Sequence, residues 1–229
     1  VDVPDILEEL AEVEMHAIQT SGNCIRNVTA DHFAGVASGE VEDPRVYAEL
    51  VRQWSTLHPE ISFLPRKFKI AVIGTEKDRA AMRLHDIGLR IQSNSAGEVG
   101  FQVLVGGGLG RTPYIAPTVR EFLPKKHILS YLEAILRIYN QLGRRDNLYK
   151  ARIKILVDSV GIQEFKLMVE KEWEEIKGGP LTVPTEEYAR ILAYFAPPNY
   201  EISGLQPNIL ESQKTDNADF SLWCRTNLA

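Results

Sequence analysis

The chain has 229 residues, 44% of them hydrophobic, and a net charge of -5. That is enough for a packed core in one large domain or two small ones, and the acidic balance excludes a global nucleic-acid or membrane surface. No stretch of about 18 apolar residues is present to cross a bilayer.

In chain order, Ile6, Leu7, Leu10 and Val13 form a stripe after Pro4 and predict a helix over residues 4–14. Met15 to Thr20 reads as a strand, and the polar turn Ser21-Gly22-Asn23 leads into Cys24-Ile25-Arg26-Asn27-Val28. Asp43-Pro44 starts a helix carried by Tyr47, Leu50, Val51 and Trp54 to about His58. Residues 64–75 read as a buried strand opened by Lys67 and Lys69. Residues 80–92 mix apolar and charged residues, including Leu84-His85-Asp86-Ile87-Gly88. Val99 to Val105 is a second strand, ending in Gly106-Gly107-Gly108-Leu109-Gly110. Helical spacing then holds over 125–142 and 149–176, with breaks at Gly143 and Gly161. A further helix is expected at 185–195, ended by Pro197-Pro198, and the last twenty residues read as tethered. Strands mixed with helices give an α+β class with a mixed sheet and flanking helices.

The residues that could carry chemistry are mostly cations. On a strand, side chains at i and i+2 share a face, so the roots of Lys67 and Lys69 stand about 7 Å apart. Two flexible ammonium groups can then converge on one small anion. The plainer reading is an exposed edge strand guarded by lysines. Arg26 reads equally as a loop arginine in a surface ion pair. Arg144, Arg145, Lys150, Arg152 and Lys154 read as solvated helix faces, or as groups reaching the carboxylates of a polyanionic cofactor.

The glycine run fits neither a P-loop, for lack of a lysine, nor a dinucleotide fingerprint, for its spacing. It therefore marks a close approach, to another backbone or to a flat ligand. The five histidines have no metal-ligand spacing, so no metal site is expected. Cys24 and Cys224 are too few for a four-cysteine cluster. Two thiols suit a reducing, cytoplasmic setting, and Cys24 reads as a buried structural thiol. The chain opens on Val1 without a signal-like segment, which reads as an internal fragment or processed product.

Three segments occur in a fixed order: Gly22-Asn23-Cys24-Ile25-Arg26-Asn27-Val28, Leu64-Pro65-Arg66-Lys67-Phe68-Lys69, and Val105-Gly106-Gly107-Gly108-Leu109-Gly110. Together they resemble the sirohaem-dependent sulfite and nitrite reductase family over roughly residues 5–177. The resemblance implies that Arg26, Lys67 and Lys69 face the distal side of sirohaem, where the substrate anion binds iron. It implies cofactor contacts from Asn23, Asn27, Arg66, Gly106, Gly107, Gly108, Arg145, Lys150 and Arg152. It further implies sirohaem and a 4Fe-4S cluster in a larger parent, with the cluster's cysteines outside this chain.

The domains implied are the tail of a ferredoxin-like half-domain (1–15), a sirohaem-side α/β domain (16–177), and a linker with the start of a second half-domain (178–229). Trp223 to Leu228 resembles that restart. The parent would reduce sulfite to sulfide, with nitrite to ammonia as the alternative. Its electron donor would be ferredoxin or a flavoprotein, with no nucleic-acid or membrane partner. The isolated chain could instead be a non-catalytic anion- or tetrapyrrole-binding piece.

Overall fold

In a computed structural model, described over residues 2–196 and 207–227, the chain divides into two compact units, 1–195 and 196–229. The larger unit is built on a five-stranded sheet in the order β1 (Ile25–Ala30), β2 (Phe68–Ile73), β3 (Ile87–Ser93), β4 (Val99–Val105) and β5 (Thr118–Pro124). The first three strands run parallel and the last two antiparallel. This is the mixed sheet with flanking helices that the sequence predicts.

The helices are α1 (Val3–Glu12), α2 (Pro44–Ser55), α3 (Ile128–Leu142), α4 (Ile153–Val160), α5 (Ile162–Ile176) and α6 (Thr185–Tyr194). Asp43 caps α2 by accepting from the Arg45 amide at 2.9 Å, with Pro44 in the first turn. Between β1 and β2, α2 supplies the crossover that parallel strands need. It buries Val46, Tyr47, Leu50 and Val51. The α3 helix is buried along most of its length and packs on α5, where the Trp173 indole N–H donates to Ser130 Oγ at 3.0 Å. These helices cover the face of the sheet that carries Phe68, Ile70 and Val72.

Loops cover the other face. Ala71 and Ile73 project there into a small cluster with Met82, Leu104 and Ala116. Lys67, Lys69 and Thr75 have the same parity as Ala71 and Ile73, so they belong to this loop-covered face.

Several expectations need correction. Met15 to Thr20 is turn and coil, because Glu14 and Gln19 adopt left-handed backbones (φ 59° and 64°) and Gln19 donates to the Ser55 carbonyl at 2.8 Å. The 64–75 strand shortens to 68–73, since the Leu64 amide donates to the Asn23 carbonyl at 2.7 Å before pairing begins. Because β2 is paired on both sides, its lysines do not guard an edge. Strand β3 occupies the second half of the segment left as a mixture, and β5 falls in an interval not assigned to any element.

Residues 125–127 form a 3-10 turn before α3, and the 149–176 stretch divides into α4 and α5 at Gly161. Pro197-Pro198 and Leu228 lie outside the described residues. In the second unit, α7 (Pro207–Asp216) and α8 (Ala218–Asn227) form a helix pair in which Cys224 is buried.

Candidate functional site

The three motif segments meet at one end of the sheet. The Phe68 amide donates to the Cys24 carbonyl at 3.0 Å, and the Gly106 amide donates to the Asp86 carbonyl at 2.9 Å. Turns before β1, β2 and β3 and the turn after β4 thus share one rim. Lys67 and Lys69 line a single cavity of about 240 Å³ there, with His85, Asp86, Leu109 and Arg152. Among the described residues, the side chains of Arg66, Lys67 and Lys69 have no hydrogen bond or ion pair. Their donors are available to a ligand.

Asp86 organises this cavity. It is 1% exposed. Its Oδ1 takes the Arg152 guanidinium, from Nη2 at 2.7 Å and Nε at 3.2 Å, while its Oδ2 accepts from the Lys69 amide at 3.0 Å. One carboxylate therefore locks the N-terminus of α4 to the start of β2. Burial pushes the Asp86 carboxyl above its usual range, against the pull of Arg152. The sequence reading missed Asp86. Its only signal was a lone acid directly before an apolar strand.

At Gly107 and Gly108 the glycine loop is packed closely against protein. A Cβ on Gly107 would stand 2.5 Å from the Arg83 and His85 carbonyls, and one on Gly108 would meet the Arg152 guanidinium at 2.9 Å. Gly106 has φ 95°, a conformation natural to glycine. Lys154 closes the loop. Its buried ammonium donates to the Leu109 carbonyl at 3.1 Å and to the Thr112 carbonyl. Lys154 and Arg152 are therefore internal clamps, not the solvated helix face expected.

Other expected residues stand apart. Arg26 sits at the register shift between β1 and β2, donates to the Gly22 carbonyl at 2.7 Å, and lines a separate hollow with Asn27. Asn27 accepts from the Thr29 hydroxyl. Asn23 contributes its carbonyl to Leu64. Arg145 folds back onto Asn140 at the end of α3, while Lys150 borders a third hollow with Arg144 and Asp158. Cys24 is buried, its thiol pushed up by burial and donating to the Ser21 carbonyl at 3.3 Å.

Fold and rim together define an α+β domain with a cation-lined rim at one end of its sheet. The family model for the nitrite and sulphite reductase 4Fe-4S domain matches residues 21–177. The chain belongs to the sirohaem-dependent sulfite and nitrite reductase family. It is 32% identical over 176 residues to a chloroplastic ferredoxin–nitrite reductase of Arabidopsis thaliana, covering 74% of this chain and 30% of that protein. It is 30% identical over 187 residues to sulfite reductase [ferredoxin] 1 of Mycolicibacterium paratuberculosis, covering 81% and 33%.

The structure of the Mycobacterium tuberculosis NirA protein superposes with a TM-score of 0.69 at 29% identity, over 76% of this chain and 31% of that one. Dissimilatory sulfite reductase I shares the fold, with a TM-score of 0.59 at 13% identity, over 79% and 59%. The chain spans about a third of the length of the curated relatives it matches.

The rim fits one side of a polycarboxylate macrocycle, because Arg66, Lys67 and Lys69 are cations without protein counter-charges. A 4Fe-4S cluster does not fit this chain alone. It has two cysteines, and among the described residues no group of three or more His, Cys, Asp or Glu could hold a metal. Among the described residues, no helix is long and apolar enough to cross a membrane.

Proposed function

We propose that this chain is the substrate-side domain of a larger sulfite reductase that reduces sulfite to sulfide by six electrons at sirohaem. In this reading residues 16–177 form the sirohaem-side domain, 1–15 end one half-domain, and 178–229 link to the next. The observation that carries it is the convergence of Lys67 and Lys69, free of protein partners, on one cavity. Sirohaem would supply the redox chemistry.

This chain's residues would bind and orient the anion. Fully ionised sulfite is a dianion, and one unit charge pair at 4 Å is worth about 4 kcal/mol at an effective dielectric of about 20. Two ammonium groups suit it better than a monoanion. As oxygen leaves as water, Lys67 Nζ and Lys69 Nζ would hand protons to it. Arg26, in its own hollow on the neighbouring strand, is left out of this role. The donor of the parent would be ferredoxin, as the relatives' names state for those proteins.

Nitrite is the second reading, supported by the similarity to the Arabidopsis nitrite reductase. The test uses the full-length parent reconstituted with sirohaem. Lys67→Ala and Lys69→Ala should each lower sulfide production about 100-fold while the Soret absorbance per protein is kept. Equal loss of absorbance and turnover would remove the substrate role. Faster turnover of nitrite than of sulfite at equal concentration would move the assignment to nitrite.

A further inference from the structure

The loop-covered face has a second hollow at its other end, beyond the carboxyl ends of β2 and β3. It is the larger of the two, at about 640 Å³, and is bordered by Lys77, Arg79, Arg90, Ser38 and Ser93. Arg90 shares its face with Gly88, whose missing Cβ points at Met82 in the small cluster of that face. The Arg90 Nε is shielded from solvent and has no hydrogen-bond partner. Its Nη2 reaches only Gln92 Oε1, at 3.5 Å. Among the described residues no carboxylate pairs with it, although Glu76 borders the same hollow.

A guanidinium cannot shed its charge. The shielded Nε is out of a ligand's reach, but among the described residues no acceptor takes Nη1, so the outer edge of the guanidinium is open to the hollow. Arg79, in contrast, is neutralised by Asp31 at 2.7 Å and held against the Thr75 hydroxyl at 3.4 Å. That leaves Arg90 and the exposed Lys77 as two unpaired cations against the single carboxylate of Glu76. Crevices at the carboxyl ends of parallel strands are the usual ligand sites of such sheets. The volume lies in the small-ligand range of about 300–1,000 Å³.

We propose that this hollow binds the phosphoryl group of a phosphorylated small molecule, with Arg90 as the anchoring fork and Lys77 as a second charge. Arg90 would give the oxyanion a planar pair of donors, and the Ser38 and Ser93 hydroxyls lie at the rim for the remaining oxygens. The site is separate from the Lys67 and Lys69 cavity and does not depend on the reading given to it.

The test is calorimetric titration of the 229-residue chain with inorganic phosphate. Saturable binding is expected, weakened about tenfold by Arg90→Gln, the loss of one charge-assisted hydrogen bond. Lys77→Ala should weaken it about threefold, each titration being run in a Lys67→Ala/Lys69→Ala background so that the other cavity takes up no phosphate. Absence of saturable binding in that background, or equal affinity in Arg90→Gln, overturns the proposal. Should Arg90→Gln fail to fold by circular dichroism, the exposed Lys77→Ala decides, and unchanged affinity there overturns it.

Discussion

The two ends of the loop-covered face solve the same electrostatic problem in different ways. At the β2 entrance, buried Asp86 takes Arg152; at the β2 exit, buried Asp31 takes Arg79. Each aspartate also accepts a main-chain amide, Lys69 in one case and Phe33 in the other. Yet their carboxyls shift in opposite directions. Burial dominates at Asp86 and raises it. At Asp31 burial also pushes upward, but the Phe33 amide and Arg79 outweigh it and hold the carboxyl low. The same pair of contacts is thus a strained charge at one end and a relaxed one at the other. Depth below the surface, not partner identity, decides which.

Removing each arginine is the strongest way to break this symmetry. Arg152→Leu should cost about 3 kcal/mol, because Asp86 is left charged and deeply buried, and Arg79→Leu about 2 kcal/mol. Urea unfolding of the 229-residue chain measures both, and equal losses would erase the distinction. The glycines give the next contrast. Gly107→Ala drives a Cβ to 2.5 Å from two carbonyls and should cost about 2 kcal/mol. Gly39→Ala, at φ 76° with nothing within 4 Å, should cost only about 1 kcal/mol of backbone strain.

The smallest effect is on pH dependence, where the signs differ. The Asp31 carboxyl is lowered from 3.8, so the stability it contributes is present above that pH and is lost as pH falls through its folded value. Asp86 is raised from 3.8, so its contribution is present below that pH and is lost as pH rises through its folded value. In melting curves taken against pH, Asp31→Asn should flatten the limb below about pH 3.8, and Asp86→Asn the limb above it. Two variants that flatten the same limb would contradict the opposed shifts.

The elements legible in the sequence are those whose burial is one-sided. Helix α2 announces itself through Asp43-Pro44 and the spacing of Tyr47, Leu50 and Val51, and β4 through an unbroken apolar run. Strands β3 and β5 were not legible, since Arg90, Gln92, Arg120 and Glu121 interrupt their apolar residues, and the last three meet partners on other elements only once the chain has folded. Of the site, the pairing of Lys67 with Lys69 could be read from strand parity alone. Asp86 could not, because its role depends on Arg152, which no local pattern connects to it. The solvated reading of Lys154 failed for the same reason. Its carbonyl partners at Leu109 and Thr112 lie more than 40 residues earlier. Arg26 is the mirror case: the family resemblance sets it beside Lys67 and Lys69, and it lies at a register shift in β1 with a hollow of its own.

The clamp at Asp86 also has a timetable. Arg152 follows Asp86 by 66 residues. At synthesis rates of about 5–20 residues per second, the carboxylate leaves the ribosome roughly 3–13 s before its partner. Over that interval β2 and β3 can pair, but nothing fastens the Lys69 turn to α4. A nascent chain arrested before residue 152 lacks that fastening, so protease should cut its cation rim faster than that of the full 229-residue chain.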